Sequence, residues 1–346
     1  MAMASVLLIY TGGTIGMAED PRTGALRPVD FSHLMDTVPE LQRFNLTIDF
    51  VSFKNPIDSS DATIADWQEI ARLIQLNYEA YDGFVVLHGT DTMSYTASAL
   101  SFMLHNLGKP VVLTGSQLPV GRLRTDGKEN LIASIEIAAA RYKDWPMLNE
   151  VAVCFESNVY RGNRTSKFNT EDFDAFLSPN YPPLAGIGTH IQYRRENMLP
   201  RPAGAFSLLV AMDTSVAVLK LFPGITERAV RAIIESEGLK GLIVETFGSG
   251  NGLTRPWFKD ALKAARDLNL CMVNVTQCMK GFVEQGRYET SAHLQHYGVW
   301  SGGDMTFEAA LTKLMFILAN SGSEEERELL FTSNIRGERT NYSAIE

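Results

Sequence analysis

A chain of 346 residues is long enough for two domains of ordinary size, and 45% hydrophobic with 21% charged residues is a globular balance that points to neither disorder nor a fibrous repeat. A formal net charge of -9 and a pI near 5.3, with no lysine or arginine run interleaved with aromatics, exclude nucleic acid as the expected partner. No apolar run approaches membrane-spanning length, and the first strand starts within a few residues of Met1, so no membrane segment or secretory leader is expected and the cytoplasm is the expected compartment.

The first apolar run, VLLIY at 6 to 10, reads as a buried strand, and FVVLH at 84 to 88, VVLTG at 111 to 115 and VAVCF at 151 to 155 repeat the pattern. Helix-period segments lie between them. Ile64, Trp67, Ile70, Ala71, Ile74 and Tyr78 form one apolar stripe, opened by TIAD at 63 to 66 in the form of a capping box, and a second stripe runs through 93 to 106. Beyond YRRENMLPRPAG at 193 to 204 the pattern resumes, with strands near 216 to 221, 241 to 247 and 271 to 277 and helices near 226 to 237, 256 to 268 and 306 to 320. The expected fold class is α/β with two domains, each built on a parallel sheet. The larger N-terminal domain takes 1–192, a linker 193–213, and the smaller C-terminal domain 214–346. Of the three cysteines, Cys154, Cys271 and Cys278, two lie in apolar strand-like stretches, where a buried thiol is the plain reading. Neither a disulfide nor a metal site is expected.

In open α/β sheets ligands gather beyond the carboxyl ends of the strands, and the polar motifs fall there. TGGTIGM at 11 to 17 follows the first strand, but its glycines match neither GxGxxG nor GxxxxGK[ST], so it is not a phosphate loop. By itself it reads as a tight turn whose glycines supply unusual backbone angles; the alternative is a threonine nucleophile, which needs a proton acceptor. In VVLHGTDTMSY at 85 to 95, Asp91 or Thr92 can cap the next helix and His88 can be a core histidine. Equally, a carboxylate beside a hydroxyl can hold a substrate ammonium and position water. Ser59, Ser60 and Asp61 precede a helix as caps do, or offer hydroxyls and N–H groups to a small carboxylate. YRGNRTSKF at 160 to 168 reads alone as a solvated basic loop. Its alternative is a source of one paired lysine, Lys167, whose proton affinity burial lowers and a carboxylate such as Asp91 raises.

Together these stretches resemble the bacterial type I L-asparaginase family, the cytoplasmic branch of the asparaginase/glutaminase superfamily. The resemblance is carried by TGGTIGM, by DSSD at 58 to 61, by residues 82 to 119, by YRGNRTSK at 160 to 167, by TQCMKG at 276 to 281 and by GGDMTFEAALTKL at 302 to 314, in family order across both halves. It implies hydrolysis of L-asparagine to L-aspartate and ammonia, with no cofactor and no metal. It further implies Thr14 as the nucleophile, and Thr90 and Lys167 as the pair that activates the attacking water or assists proton transfer. Asp91 grips the substrate ammonium, and Asp58, Ser59 and Ser60 clamp the α-carboxylate end. A covalent acyl-threonine released by water divides one difficult amide cleavage into two steps. The expected assembly is a homodimer, alone or paired into a dimer of dimers.

Two departures from the family pattern stand out. Much of the family has a tyrosine in the lid loop after TGGTI that helps activate the nucleophile. Here the loop reads AEDPRTGALRP, with Ala25 after Gly24, and no tyrosine lies between Tyr10 and Tyr78. In some type I enzymes an arginine of the C-terminal domain holds an effector asparagine; here LIVETFGSGN places Glu245 in that region, which predicts weak or absent allosteric activation. Three other readings compete. A glutaminase-asparaginase of broader specificity needs only a slightly larger pocket, since one methylene is worth about 1 to 3 kcal/mol. A tRNA-dependent amidotransferase subunit carries a further N-terminal domain, whereas this sequence begins at the catalytic strand. A non-catalytic amino-acid sensor keeps the pocket and has no need of a nucleophile.

Overall fold

The structure of the chain, a computed structural model, describes residues 3–19, 26–28, 37–286 and 289–341. The chain divides into two compact units, Met1–Val210 and Ala211–Glu346.

The first unit is built on one eight-stranded sheet. Its strands are β1 (Ser5–Gly12), β2 (Thr47–Ile57), β3 (Gly83–Leu87), β4 (Val111–Thr114), β5 (Val151–Phe155), β6 (Asn158–Arg161), β7 (Ala185–Ile187) and β8 (Ile191–Tyr193). They lie in the order β8-β7-β6-β5-β4-β3-β1-β2. Pairing is parallel from β2 to β5 and antiparallel from β5 to β8. Residues of β3, β4 and β5 are buried throughout, because both faces of the sheet are covered, and this is why these strands read as unbroken apolar runs. The edge strand β2 has no such signature: Asp49, Lys54, Asn55 and Pro56 face solvent, as suits a strand paired on one side only.

Three long helices follow strands of this sheet. In α1 (Ile64–Asn77) Trp67, Ile70, Ala71 and Ile74 are buried as the stripe predicts, and the Asp66 carboxylate accepts the Thr63 N–H at 2.7 Å. Every residue of α2 (Met93–Met103) except Tyr95 is buried, its serines and threonine included. From α3 (Gly127–Ala139), Leu131, Ile135 and Ala138 join Leu8, Tyr10, Val85 and Leu87 in one apolar cluster.

The second unit carries a four-stranded sheet, all parallel and in chain order: β9 (Val216–Lys220), β10 (Gly241–Thr246), β11 (Cys271–Thr276) and β12 (Val299–Ser301). Its helices are α4 (Glu227–Ile234), α5 (Pro256–Asp267), α6 (Glu289–His296), α7 (Phe307–Asn320) and α8 (Glu324–Thr332). The core joins Leu219, Leu242, Val244 and Met272 of the strands to Phe258 and Leu262 of α5. The tail is fastened by polar groups. Lys313, fully buried in α7, pairs with buried Glu338 and donates to the carbonyls of Phe331 at 2.8 Å and Ser333 at 2.6 Å. Asp304 accepts the N–H and hydroxyl of Thr340 at 2.8 and 2.6 Å. The α/β expectation, with a mainly parallel sheet in the larger unit and a separate parallel sheet in the smaller, agrees with this architecture. No described helix is long and apolar enough to cross a membrane.

Candidate active site

In the order β2-β1-β3-β4-β5 the direction of the crossovers reverses between β1 and β3, and a crevice opens beyond the carboxyl ends of strands at such a point. Two of the polar motifs leave from these two ends. Residues 11 to 14 turn out of β1 through Gly12 and Gly13, at φ +135° and +86°, into the short 3-10 turn Thr14–Gly16. Residues 88 to 92 leave β3 and lead into α2.

The glycines at this point let backbone meet backbone. A β-carbon on Gly12 would lie 2.1 Å from the carbonyl oxygen of Ile57, at the end of β2. One on Gly13 would lie 2.4 Å from the N of Gly89, and one on Gly89 would lie 2.4 Å from Ser59 Oγ. Three stretches distant in sequence, TGGT, DSS and HGT, are therefore in direct contact, and the residue before Thr14 abuts the residue before Thr90. Thr92 fastens the third side by donating its hydroxyl proton to the Ser59 carbonyl at 2.7 Å. Ser59 is buried, whereas Asp58 and Ser60 are exposed, with Asp58 accepting the N–H and the hydroxyl of Ser60, both at 3.0 Å. Thr14 is half-buried, and among the described residues its hydroxyl makes no hydrogen bond.

A fourth stretch supplies a cation. Lys167, in the two-residue strand Ser166–Lys167 paired with Phe176–Leu177, donates from Nζ to Thr90 Oγ1 at 2.8 Å and to Asp91 Oδ1 at 2.7 Å. The Lys167 side chain is 15% exposed and that of Asp91 60%, so the lysine comes from below and the carboxylate faces the open side. The surrounding basic residues are not a solvated loop. Arg161 is buried and ion-paired to buried Glu150 at 2.5 Å, and buried Arg164 and Arg161 both lie over the Tyr181 ring, at 5.1 and 4.5 Å from its centroid. These two arginines stiffen the segment that delivers Lys167.

Behind the hydroxyls, His88 is buried and its pKa is lowered by desolvation, so the ring is neutral. Its Nδ1 faces the Gly89 carbonyl at 2.7 Å and must carry the proton, which leaves Nε2 to accept from Thr96 Oγ1 at 3.0 Å. Thr96 in turn accepts from Trp67 Nε1 at 3.0 Å. His88 is thus the satisfied core histidine of the plain sequence reading, and it also fixes the carbonyl next to Thr90. The buried hydroxyl of Tyr10 donates to the Gly16 carbonyl at 3.1 Å, and burial pushes its pKa up to about 12, so it braces the Thr14 turn as a neutral phenol and is no proton acceptor. Gly24 and Ala25, which mark the missing lid tyrosine, lie outside the described residues. The flanking strands Met17–Glu19 and Leu26–Pro28 pair antiparallel.

Among the described residues no group of three or more His, Cys, Asp or Glu side chains could hold a metal ion. Cys154 and Cys271 are buried and Cys278 is exposed, all as free thiols. In the second unit, Glu245 sits near the carboxyl end of β10 with its side chain 15% exposed and 3.6 Å from Lys220 Nζ.

A switch point rimmed with hydroxyls, one lysine and the carboxylates of Asp58 and Asp91 can support amide chemistry, and two family models match the chain. Residues 5–199 match the family model described as asparaginase, N-terminal, and residues 215–331 match the glutaminase/asparaginase C-terminal domain. The chain is similar to L-asparaginase 1 of Escherichia coli strain K12, 43% identical over 343 residues that cover 98% of this chain and 99% of the relative. It is also similar to the 60 kDa lysophospholipase of Homo sapiens, 41% identical over 99% of this chain and 62% of that longer protein. The crystal structure of L-asparaginase I from Vibrio cholerae O1 biovar eltor str. N16961 superposes with a TM-score of 0.89 at 40% identity, covering 98% of this chain and 100% of that one. With both of its units matched and the same fold in a solved relative, the chain belongs to the asparaginase family.

Proposed function

We infer that the chain is an amidohydrolase, an L-asparaginase that cleaves L-asparagine to L-aspartate and ammonia at the crevice beyond β1 and β3. The observation that carries the assignment of roles is the Lys167 ammonium, hydrogen-bonded at once to Thr90 and Asp91. In this reading the Thr14 oxygen attacks the side-chain carboxamide carbon, the C–N bond breaks, and the Thr14 proton passes to the leaving nitrogen, which departs as ammonia. Water then attacks the acyl-threonine, the C–O bond to Thr14 breaks, and one proton of that water returns to the Thr14 oxygen. An ammonium only donates, so Lys167 holds the Thr90 oxygen and favours negative charge on it, while Thr90 relays the Thr14 proton to the leaving nitrogen and, in the second half-reaction, the water proton back to the Thr14 oxygen. Asp91 keeps its second oxygen for the substrate ammonium, and Asp58, Ser59 and Ser60 take the α-carboxylate end.

The same reading assigns residues 1–192 to catalysis, 193–213 to a linker and 214–346 to the C-terminal domain, and it places a homodimer, alone or paired into a dimer of dimers, in the cytoplasm. Family resemblance supports these, and light scattering tests the assembly. A glutaminase-asparaginase is the second reading, since the C-terminal family model spans both activities. Ammonia release from L-asparagine and from L-glutamine, measured side by side, tests the assignment. Faster release from asparagine is expected. Faster release from glutamine favours the second reading, and binding of asparagine without release makes the protein a sensor.

A further inference from the structure

The Thr90 hydroxyl has a second neighbour that the roles above leave unused. Gln117, in the turn after β4, is half-buried, and its Oε1 accepts from Thr90 Oγ1 at 3.4 Å while its Nε2 donates to the Asp172 carbonyl at 3.1 Å. A carbonyl oxygen accepts only, so the amide nitrogen must face Asp172 and the amide oxygen must face Thr90. The Lys167 ammonium likewise only donates. One proton and the lone pairs of the Thr90 oxygen are then committed in opposite directions, toward Gln117 and toward Lys167, and the hydroxyl rotor has one consistent setting.

The backbone holding Gln117 is clamped. The N–H groups of Gln117 and Leu118 both donate to the Asp126 carboxylate, at 2.9 and 3.1 Å. Asn130, one turn along α3, donates to Asp126 at 3.2 Å and to the Gly115 carbonyl at 3.0 Å, and accepts the Glu156 N–H at 2.8 Å. At the far end, the Asp172 segment is folded on itself, since Asn169 accepts the N–H groups of Glu171 and Asp172 at 2.9 and 3.2 Å. Gln117 therefore bridges the candidate proton relay and the loop that follows the Lys167 strand.

We propose that Gln117 is a positioning residue for Thr90, fixing the direction of its hydroxyl proton and tying the relay to the 169–174 loop; this rests on the role assigned to Thr90 above. The test is a double-substitution cycle on the full chain with L-asparagine as substrate. Gln117→Leu is expected to lower kcat about tenfold or more with KM changed less than about twofold, because positioning acts on the reacting groups and not on substrate binding. Gln117→Leu combined with Thr90→Val is expected to be no worse than Thr90→Val alone by more than about threefold, since the two act as one unit. Gln117→Glu keeps an acceptor toward Thr90 but loses the donor to the Asp172 carbonyl, so its kcat is expected to lie between those of the wild type and Gln117→Leu.

Wild-type kcat in Gln117→Leu, losses that simply multiply in the double variant, or a kcat in Gln117→Glu no higher than in Gln117→Leu would each overturn the proposal. The two failures are distinguishable. If Thr90→Val itself keeps full activity, the relay assigned to Thr90 is wrong and the role of Gln117 falls with it. If Thr90→Val is crippled while Gln117→Leu is not, only the role of Gln117 falls.

Discussion

The contact between the Thr14 turn and the Thr90 turn gives the sharpest prediction. Gly13 stands at φ +86°, and a β-carbon there would lie 2.4 Å from the Gly89 N, 2.5 Å from its Cα and 2.9 Å from the His88 carbonyl carbon. Both sides are backbone, so no side chain can swing away. Ordinary contact begins near 3.4 Å, so Gly13→Ala must drive the Thr14 turn and the Thr90 turn apart by about 1 Å. At φ +86° and ψ 170° the backbone of Gly13 lies in a region open essentially to glycine alone, which adds a local cost of about 1 to 3 kcal/mol for an alanine. Misplacement of reacting groups by 1 Å costs about a hundredfold, so kcat/KM for ammonia release from L-asparagine is expected to fall by about that factor. Urea unfolding is expected to show a loss of stability of at least about 1 to 3 kcal/mol, from the strained backbone and the parted turns. Gly121→Ala serves as control, because a β-carbon there meets nothing within 4 Å. Gly13→Ala with kcat/KM within about threefold of the wild type would refute the claim that the two turns touch at Gly13 and Gly89.

Three further predictions concern other parts of the chain. Burial lowers the His88 pKa in the folded state, so the folded protein binds fewer protons than the unfolded chain in acid; stability is full above the ordinary histidine pKa of about 6.5 and falls as pH drops through it. Urea midpoints between about pH 7.5 and 5 should therefore fall in the wild type and fall less in His88→Gln. Lys313→Met leaves Glu338 buried without its cation, and the measured unfolding free energy should drop by about 3 to 5 kcal/mol. The carboxylate of Glu245 near the end of β10 is ill suited to hold an effector carboxylate, so initial rate against L-asparagine should be hyperbolic, and marked sigmoidality would count against that expectation.

Much of the parallel framework is legible in the sequence because burial on both faces writes itself as an unbroken apolar run, as in FVVLH and VAVCF. The edge strand β2 is not, since solvent on one side dilutes its pattern and Pro56 argues against a strand. Nor are β6, β7 and β8, which are only three or four residues long. The candidate site is legible as a set of motifs but not as a geometry. Lys167 meets Thr90 across 77 residues of sequence, and no spacing rule relates them. Arg161 and Arg164 read as a solvated pair because their partners, Glu150 and Tyr181, lie outside the motif. Gln117 carries no signal of its own in the sequence, because its partners Thr90 and Asp172 lie 27 and 55 residues away. Tyr10, just before the glycines, gave no sign that its hydroxyl would support Gly16.

Everything proposed for the site turns on attack by the Thr14 oxygen on the carboxamide of L-asparagine. Its most direct test is the steady-state rate of ammonia release by Thr14→Ala, prepared alongside the wild type and matched to it in urea stability. With the nucleophile removed, kcat is expected to fall by at least about a thousandfold. Hydrolysis of asparagine by Thr14→Ala at near the wild-type rate would contradict it.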